Sequence, residues 1–399
     1  MQKRNTGLTI IVDVLILLYT CGIYMLSVYA ETNGLFRVVA FALMGACAFH
    51  MLVKRRWRFG KLIGFFAAFI VFCITSLLWA QDMEAAEEIC WTLVQLFLVF
   101  FLVYNYAVEE DKVRYILAVI CFSGVAFALY SVALFGVDAY IAGLIEGTRM
   151  GAEDSTLNII GTTSATSALI CLWYIFYEKR IWCIAPLAVC VVVGLGTGSR
   201  KMLIALVIGA VLLFILRGNF AKRLLGVVEV AVILYLLYQL LQLPLFSNIN
   251  ERFESLLNAF TGLGDVDSSA VGRFDMIDYG MQQFFKTPIG GIGIGNTGII
   301  TITQLGRDTY LHNNYVELLA SVGIIGTGLY YALFLTPLPW LMKGCHRRHD
   351  LATLGLVLML VELVLHYGMV TFYSKSAYML LLLFALLANE AKKARGYTV

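Results

Sequence analysis

His312, Asn313 and Asn314 stand at the mouth of an apolar run, "YLHNNYVELLASVGIIG", residues 310–326. Polar groups at such a boundary cost free energy unless they are hydrogen-bonded or used. A histidine titrates near neutrality and can take a proton from a hydroxyl. The asparagines can cap the helix that follows or hold a sugar. A simple cap accounts for an asparagine and leaves the histidine unexplained. A second set of candidates is cationic: Arg149, Arg200, Arg252, Arg273 and Arg307. Guanidinium is permanently charged and grips phosphate oxygens two at a time, which suits a lipid pyrophosphate near the headgroup plane. Pairing with Glu251, Asp265, Asp275 or Asp308 accounts for any one of these arginines, but less well for all five.

The elements that position these residues follow from composition. The chain has 399 residues, of which 60% are hydrophobic and 14% charged, with a mean hydropathy of +0.83. Soluble domains carry about 25% charged residues, so this is a polytopic all-α membrane protein. Apolar stretches near 8–30, 35–53, 60–80, 88–107, 113–135, 157–177, 181–198, 200–217, 222–245, 311–337, 351–371 and 375–391 are long enough to cross a bilayer of about 30 Å. The run after "MQKRN" exceeds the apolar length of a cleaved signal peptide, so a retained first span is expected. With the amino terminus inside, the inner segments hold 20 of the 29 Lys and Arg. The positive-inside rule is then obeyed loop after loop, which puts both termini in the cytoplasm.

The expected organisation is therefore nine spans in 1–245, an extracytoplasmic loop at 246–310 and three spans in 311–399. Loops this long usually carry function. Within it "RFESLLNAF" and "RFDMIDYGMQQFF" have apolar residues at helical spacing, including Phe274, Ile277, Met281 and Phe284. Amphipathic helices lying on the outer membrane surface or over a cavity are expected, the second ended by Pro288 and the glycines of "PIGGIGIGN". The five arginines and His312 all fall on this outer side, against the charge bias, so the chemistry is expected there.

Other motifs do less. "GIGNTG", Gly293–Gly298, fits a dinucleotide fingerprint but lacks the βαβ unit that gives it meaning. "GLGTGSRK" lacks the gap of a phosphate-binding loop and faces away from cytoplasmic ATP. The nine cysteines are scattered in apolar segments without the spacing of a disulfide framework or zinc site. "CHRRH", with Cys345, His346 and His349, reads as a solvated charge run. Glu362 and His366 are i,i+4 in a span and can contact each other. Asp13 and Glu229 read as snorkelling or packing residues near inner helix ends. Gly323, Gly326 and Gly328 read as small residues that let helices approach. No cofactor and no nucleic-acid partner are expected.

The order His312, Asn313, nine residues, then Gly323-x-x-Gly326 resembles the signature of the O-antigen ligase and O-antigen (capsular polysaccharide) polymerase superfamily. "TGSR" at Thr197–Arg200 is similar to that family's arginine at the outer end of an earlier span. "GRFDM…FFKTPIGGIGIGN" is similar to the arginine helix and glycine-rich stretch of its outer loop. The specific likeness lies within 195–330. It implies a metal-independent, GT-C-like glycosyltransferase of about 12 transmembrane helices in the cytoplasmic membrane, with an extracytoplasmic active site. Such an enzyme moves a glycan from undecaprenyl pyrophosphate to an acceptor glycan, and a chain-length regulator is a possible partner. Carried over by position, Arg200 and Arg273 hold the donor pyrophosphate and His312 is the base or acceptor-orienting residue. Asn313, Asn314, Arg149, Arg252 and Arg307 are candidates for substrate binding.

Polymerase is the first reading and ligase, with a lipid A core acceptor, its alternative. A transporter or flippase of lipid-linked glycans is a reading of a different class. Its best evidence is Glu362 with His366, but no internal repeat accompanies it. A structural partner in an envelope complex accounts for the loop and leaves the arginines with His312 unexplained.

Overall fold

A computed structural model describes residues 6–26, 34–145, 154–217, 224–228, 268–347 and 349–397, together with positions 232, 235 and 239. Among the described residues every regular element is helical. The helices are α1 (Thr6–Met25), α2 (Gly34–Lys54), α3 (Lys61–Ser76), α4 (Met83–Glu109), α5 (Val113–Phe135), α6 (Val137–Ile145) and α7 (Asp154–Phe176). Then come α8 (Ile184–Gly196), α9 (Arg200–Ile215), α10 (Ser268–Lys286), α11 (Thr297–Leu305), α12 (Asn314–Leu335), α13 (Leu338–His346), α14 (Asp350–Leu365) and α15 (Lys375–Lys393).

A helix occupies each apolar stretch read from the sequence except 222–245, which lies largely outside the described residues. Among the described residues, six helical segments are long and apolar enough to cross a membrane: Gly7–Met25, Gly34–Lys54, Met83–Glu109, Val113–Phe135, Thr156–Phe176 and Asn314–His346. Lys61–Ser76 and Ile181–Gly196 are shorter apolar helices. A 16-residue helix such as α3, α9 or α14 rises about 24 Å, less than the thickness of a hydrocarbon core. "RFESLLNAF" falls outside the described residues, as does Glu229.

The centre of the bundle is α14 with α15. Nearly every residue of α14 from Leu351 to Glu362 is buried, and so is every residue of α15 from Ala377 to Asn389. A helix apolar all round belongs inside. Around this pair stand α4, α5, α9 and α13, and α7 packs on α5, α8 and α9. Large rings lock the layers: Phe66 of α3 stacks on Tyr378 of α15 at 4.8 Å, and Phe69 meets Tyr330 of α12 at 5.5 Å.

One end of the bundle is laced with ion pairs. Lys112 Nζ lies 2.6 Å from Asp13 Oδ2, and the Tyr106 hydroxyl donates to Asp13 Oδ1 at 2.7 Å. Glu110 takes Lys54 and His50 Nε2, each at 2.9 Å. Arg56 and Arg58 reach Glu109, Arg114 and Arg180 reach Glu178, and Lys393 bridges Asp111 and Glu390. These residues come from the segments that charge counting puts on the inner side. Their meeting brings the carboxyl ends of α2, α4, α7 and α15 and the amino end of α5 together. His349 acts as a cap here, its Nδ1 accepting from the amide of Ala352 at 3.2 Å.

The second loop helix forms as α10, but its buried stripe is offset from the expected one. Phe274 is exposed, whereas Met276 and Gly280 are buried, with Ile277, Tyr279 and Met281 partly covered. They meet Ile300, Leu311, Val316 and Ala320 in a small separate core. The helix thus rests on α11 and α12. The short α11 was not evident from sequence.

Candidate active site

The glycines of the stretch 290–295 and those of α12 form one device. At Gly323 the backbone of α12 leaves the helical range, with φ 61° and ψ −166°. Into this break fits the stretch 288–293. Ile292 N donates to Ala320 O at 3.0 Å, Gly293 N to Ser321 O at 2.9 Å, and Ile324 N to Pro288 O at 2.9 Å. A Cβ on Gly323 would lie 2.3 Å from the Ile289 carbonyl oxygen, and one on Gly291 (φ +67°) 2.3 Å from the Ser321 carbonyl group. Both positions need glycine for conformation and for space. Gly323 therefore admits a loop, where helix-to-helix contact was expected, and Gly328 faces open space. On its other side the loop is stitched to the α3–α4 turn. Asn296 Oδ1 accepts from Gln81 N at 2.7 Å and Asp82 N at 2.8 Å, and its Nδ2 donates to Asp82 O at 3.0 Å. This fixes the carboxyl end of α10, the helix that carries Arg273.

His312 sits in the left-handed region, φ 57°, and its neighbours hold it there. Leu311 N donates to Glu317 Oε2 at 2.8 Å, and the same buried carboxylate accepts from the Thr297 hydroxyl. Asn313 Oδ1 caps α12, accepting from Tyr315 N at 3.0 Å and Val316 N at 3.1 Å. Asn314 ties the turn to the α14–α15 connection. Its amide donates to His366 O at 2.8 Å, and its Oδ1 accepts from Thr371 N at 2.8 Å and Phe372 N at 3.0 Å. Its Nδ2 donates to the Tyr331 hydroxyl at 3.1 Å. Both asparagines are buried, so in this geometry they position the histidine. The imidazole lies against Tyr310, ring centroids 4.1 Å apart.

Arg200 opens α9 two residues after Gly198, which takes φ +64°, with Ser199 as the N-cap. The Thr197 hydroxyl donates to Gly194 O at 2.6 Å, and the Ser199 hydroxyl to Asn158 Oδ1 of α7 at 2.8 Å. This compact turn aims the amino-terminal end of α9 at a small pocket of about 30 Å³. Its walls are Leu157, Asn158, Thr197–Lys201 and Arg273. Two arginines more than seventy positions apart thus share one site at a helix amino terminus, where free amides and the helix dipole favour an anion.

Asn158 and Lys201 also line a second, larger cavity of about 520 Å³, so the two spaces adjoin. Its polar wall includes Thr162, Thr163 and Thr166 of α7 with Glu88 and Thr92 of α4. Its apolar wall includes Ile23, Leu26, Phe36 and Met369. Tyr310, the ring beside His312, belongs to the lining as well. The order of elements is therefore arginine pocket, cavity, Tyr310 and His312. Arg307 is exposed in the turn after α11 and lines neither space. Arg149 and Arg252 lie outside the described residues.

Residues 185–331 match the model of the O-antigen ligase family. The matched segment is a little over a third of the chain. The match supports the O-antigen ligase and polymerase superfamily, and with it a glycosyltransferase-type membrane enzyme. The segment spans α8 to most of α12, and so includes Arg200, Arg273, His312 and the Gly323 break. No curated protein matches the chain.

Sequence reading missed the supports outside that segment and some within it. Glu317 carries a signal, an acidic residue in the first turn of α12. Asn158 and the threonines of α7 carry none, since a hydroxyl in an apolar helix reads equally well as packing.

Proposed function

We propose that this chain is a glycosyltransferase of the cytoplasmic membrane that works at its outer face. It takes a glycan from undecaprenyl pyrophosphate and joins it to the acceptor end of another lipid-linked glycan, extending a surface polysaccharide. The observation that carries this reading is the shared pocket of Arg200 and Arg273 at the amino end of α9, adjoining a cavity large enough for sugars. Ligand cavities run about 300–1,000 Å³.

The chemistry assigns each group one task. An acceptor hydroxyl attacks the anomeric carbon of the donor sugar while the bond from that carbon to the phosphate oxygen breaks. The electron pair leaves on the pyrophosphate, whose growing charge the two guanidiniums and the α9 amides stabilise. The acceptor's proton passes to the imidazole of His312, placed by the clamps on Leu311, Asn313 and Asn314. A positioned base of this kind contributes about 10²–10⁴ in rate. The large outer loop then serves to bring Arg273 to Arg200. A ligase reading takes its support from the description of the matched family.

The test is to incubate the purified protein with an undecaprenyl-pyrophosphate repeat unit as the sole substrate and separate the products by size. A ladder is the expected result. Reaction only after addition of a second, different acceptor would replace the polymerase by a ligase. Absence of any new glycosidic bond under both conditions would overturn the enzyme reading in favour of transport.

A further inference from the structure

The floor of the large cavity holds a carboxylate that the transfer chemistry does not use. Glu362, in the last turn of α14, lines the cavity although it is only 9% exposed. Its contact on the protein side is His366, fully buried one turn further on, with Nε2 3.6 Å from Oε1. That is longer than an ordinary hydrogen bond. His366 is caged by Tyr315, Tyr330, Tyr331 and Phe334, with ring centroids 5.3 to 6.3 Å away. Its Nδ1 lies 3.3 Å from the Tyr331 hydroxyl, while Nε2 has no hydrogen bond of ordinary geometry among the described residues. The hydroxyl of Thr371 is in the same condition, 5% exposed and on the cavity lining.

Buried polar atoms normally have partners, and a carboxylate taken out of water needs them most. Glu362 and Thr371 face a space lined by Thr162, Thr163, Thr166, Ser374 and Ser376, with Glu88, Lys201 and Lys375 in the same lining. A ligand that satisfies this set is rich in hydroxyls and donates to a carboxylate. We propose that Glu362, backed by His366, is a specificity residue that grips a pair of sugar hydroxyls and makes the cavity select neutral over acidic saccharide at the acceptor position. This rests on the reading above that the cavity takes a glycan. A carboxylate accepts two hydroxyl protons at once and repels the carboxylate of a uronic acid. His366 backs Oε1 on the protein side, 3.6 Å away.

The test uses the full-length protein in detergent and two fluorescent probes: a neutral trisaccharide of hexoses and the same trisaccharide with one hexuronic acid. Anisotropy titrations of the wild type are expected to show the neutral probe binding more tightly. In Glu362→Gln the neutral probe weakens about tenfold, the scale of one hydrogen bond to a charged group, and the discrimination against the hexuronic acid narrows. Glu362→Asp retains the preference at reduced affinity. Equal affinities for both probes in wild type, or a Glu362→Gln variant that binds like wild type, would overturn the proposal. So would an equal loss for both probes accompanied by a lower unfolding temperature, the mark of a merely structural pair. Glu362-dependent saccharide binding by a protein that forms no glycosidic bond would overturn the glycosyltransferase reading and support this one.

Discussion

The two ends of the helix bundle treat charge in opposite ways. At one end Asp13, Glu109, Glu110, Asp111 and Glu178 each meet a cation from a neighbouring segment. At the other, Arg200, Lys201 and Arg273 line a pocket, and Lys201, Lys375, Glu88 and Glu362 line the cavity beside it. Charge at the first end joins helix to helix. Charge at the second surrounds a space. Fixed cations around a space are what a reaction with a departing pyrophosphate requires, because dipoles set beforehand need no rearrangement as charge develops. The contrast teaches that position in the bundle, more than residue type, decides whether a charge joins helices or borders a space here.

Substitutions at each end sharpen this contrast. The largest effect is expected for His312→Ala, which lowers the transfer rate by about 10²–10⁴ while the protein inserts and unfolds like the wild type. Timed product formation alongside a melting curve checks both halves. Next comes Arg273→Lys, which keeps the charge and loses the two-pronged grip. A loss of tenfold or so in transfer is expected, about one charge-assisted hydrogen bond. The loss should appear in the dependence of rate on donor concentration.

At the opposite end, Glu110→Gln should leave those kinetics alone and cost about 3 kcal/mol of stability, since it strips Lys54 and His50 of a buried partner. Burial pushes the Glu110 carboxyl up, but hydrogen bonds from Lys54 and His50 outweigh this and hold it below its usual value of 4.5. A lowered carboxyl stabilises the fold above the unfolded value and loses that contribution as the pH falls through the folded one. Acid destabilisation below about pH 4.5 should therefore be weaker in Glu110→Gln, as read from melting temperatures against pH. Gly323→Ala should cost about 2 kcal/mol and raise hydrogen exchange at 288–293, with a fall in transfer as α10 loosens. Arg307→Ala, exposed and away from both spaces, is expected to stay within about 0.5 kcal/mol and to change transfer little.

The sequence carried some of this plainly. Charge alternation placed helix ends on common faces, and among the described residues the segments around Lys54, Glu110, Glu178 and Lys393 meet. The arginines stood out against the positive-inside rule, and His312 as a polar residue at the mouth of an apolar run. What could not be read was partnership across long separations. Asn296 to Asp82, Gly323 to Ile289, and Arg200 to Arg273 depend on where a loop docks, and no periodicity encodes that. Gly323 looked like a helix-packing glycine because a break that receives a loop and a close helix crossing demand the same small residue. Asn314 looked able to hold a sugar because its four hydrogen-bonding partners come from segments 17 to 58 residues away.

The most direct test of the account is equilibrium binding of glycan-free undecaprenyl pyrophosphate to the purified protein, with wild type compared with an Arg200→Ala/Arg273→Ala double variant. The account expects saturable binding by the wild type and a loss of about a hundredfold in the variant, roughly two charge-assisted contacts, with the unfolding temperature unchanged. Equal affinity in the two proteins would contradict it, because the pocket between α9 and α10 would then not be where the pyrophosphate is held.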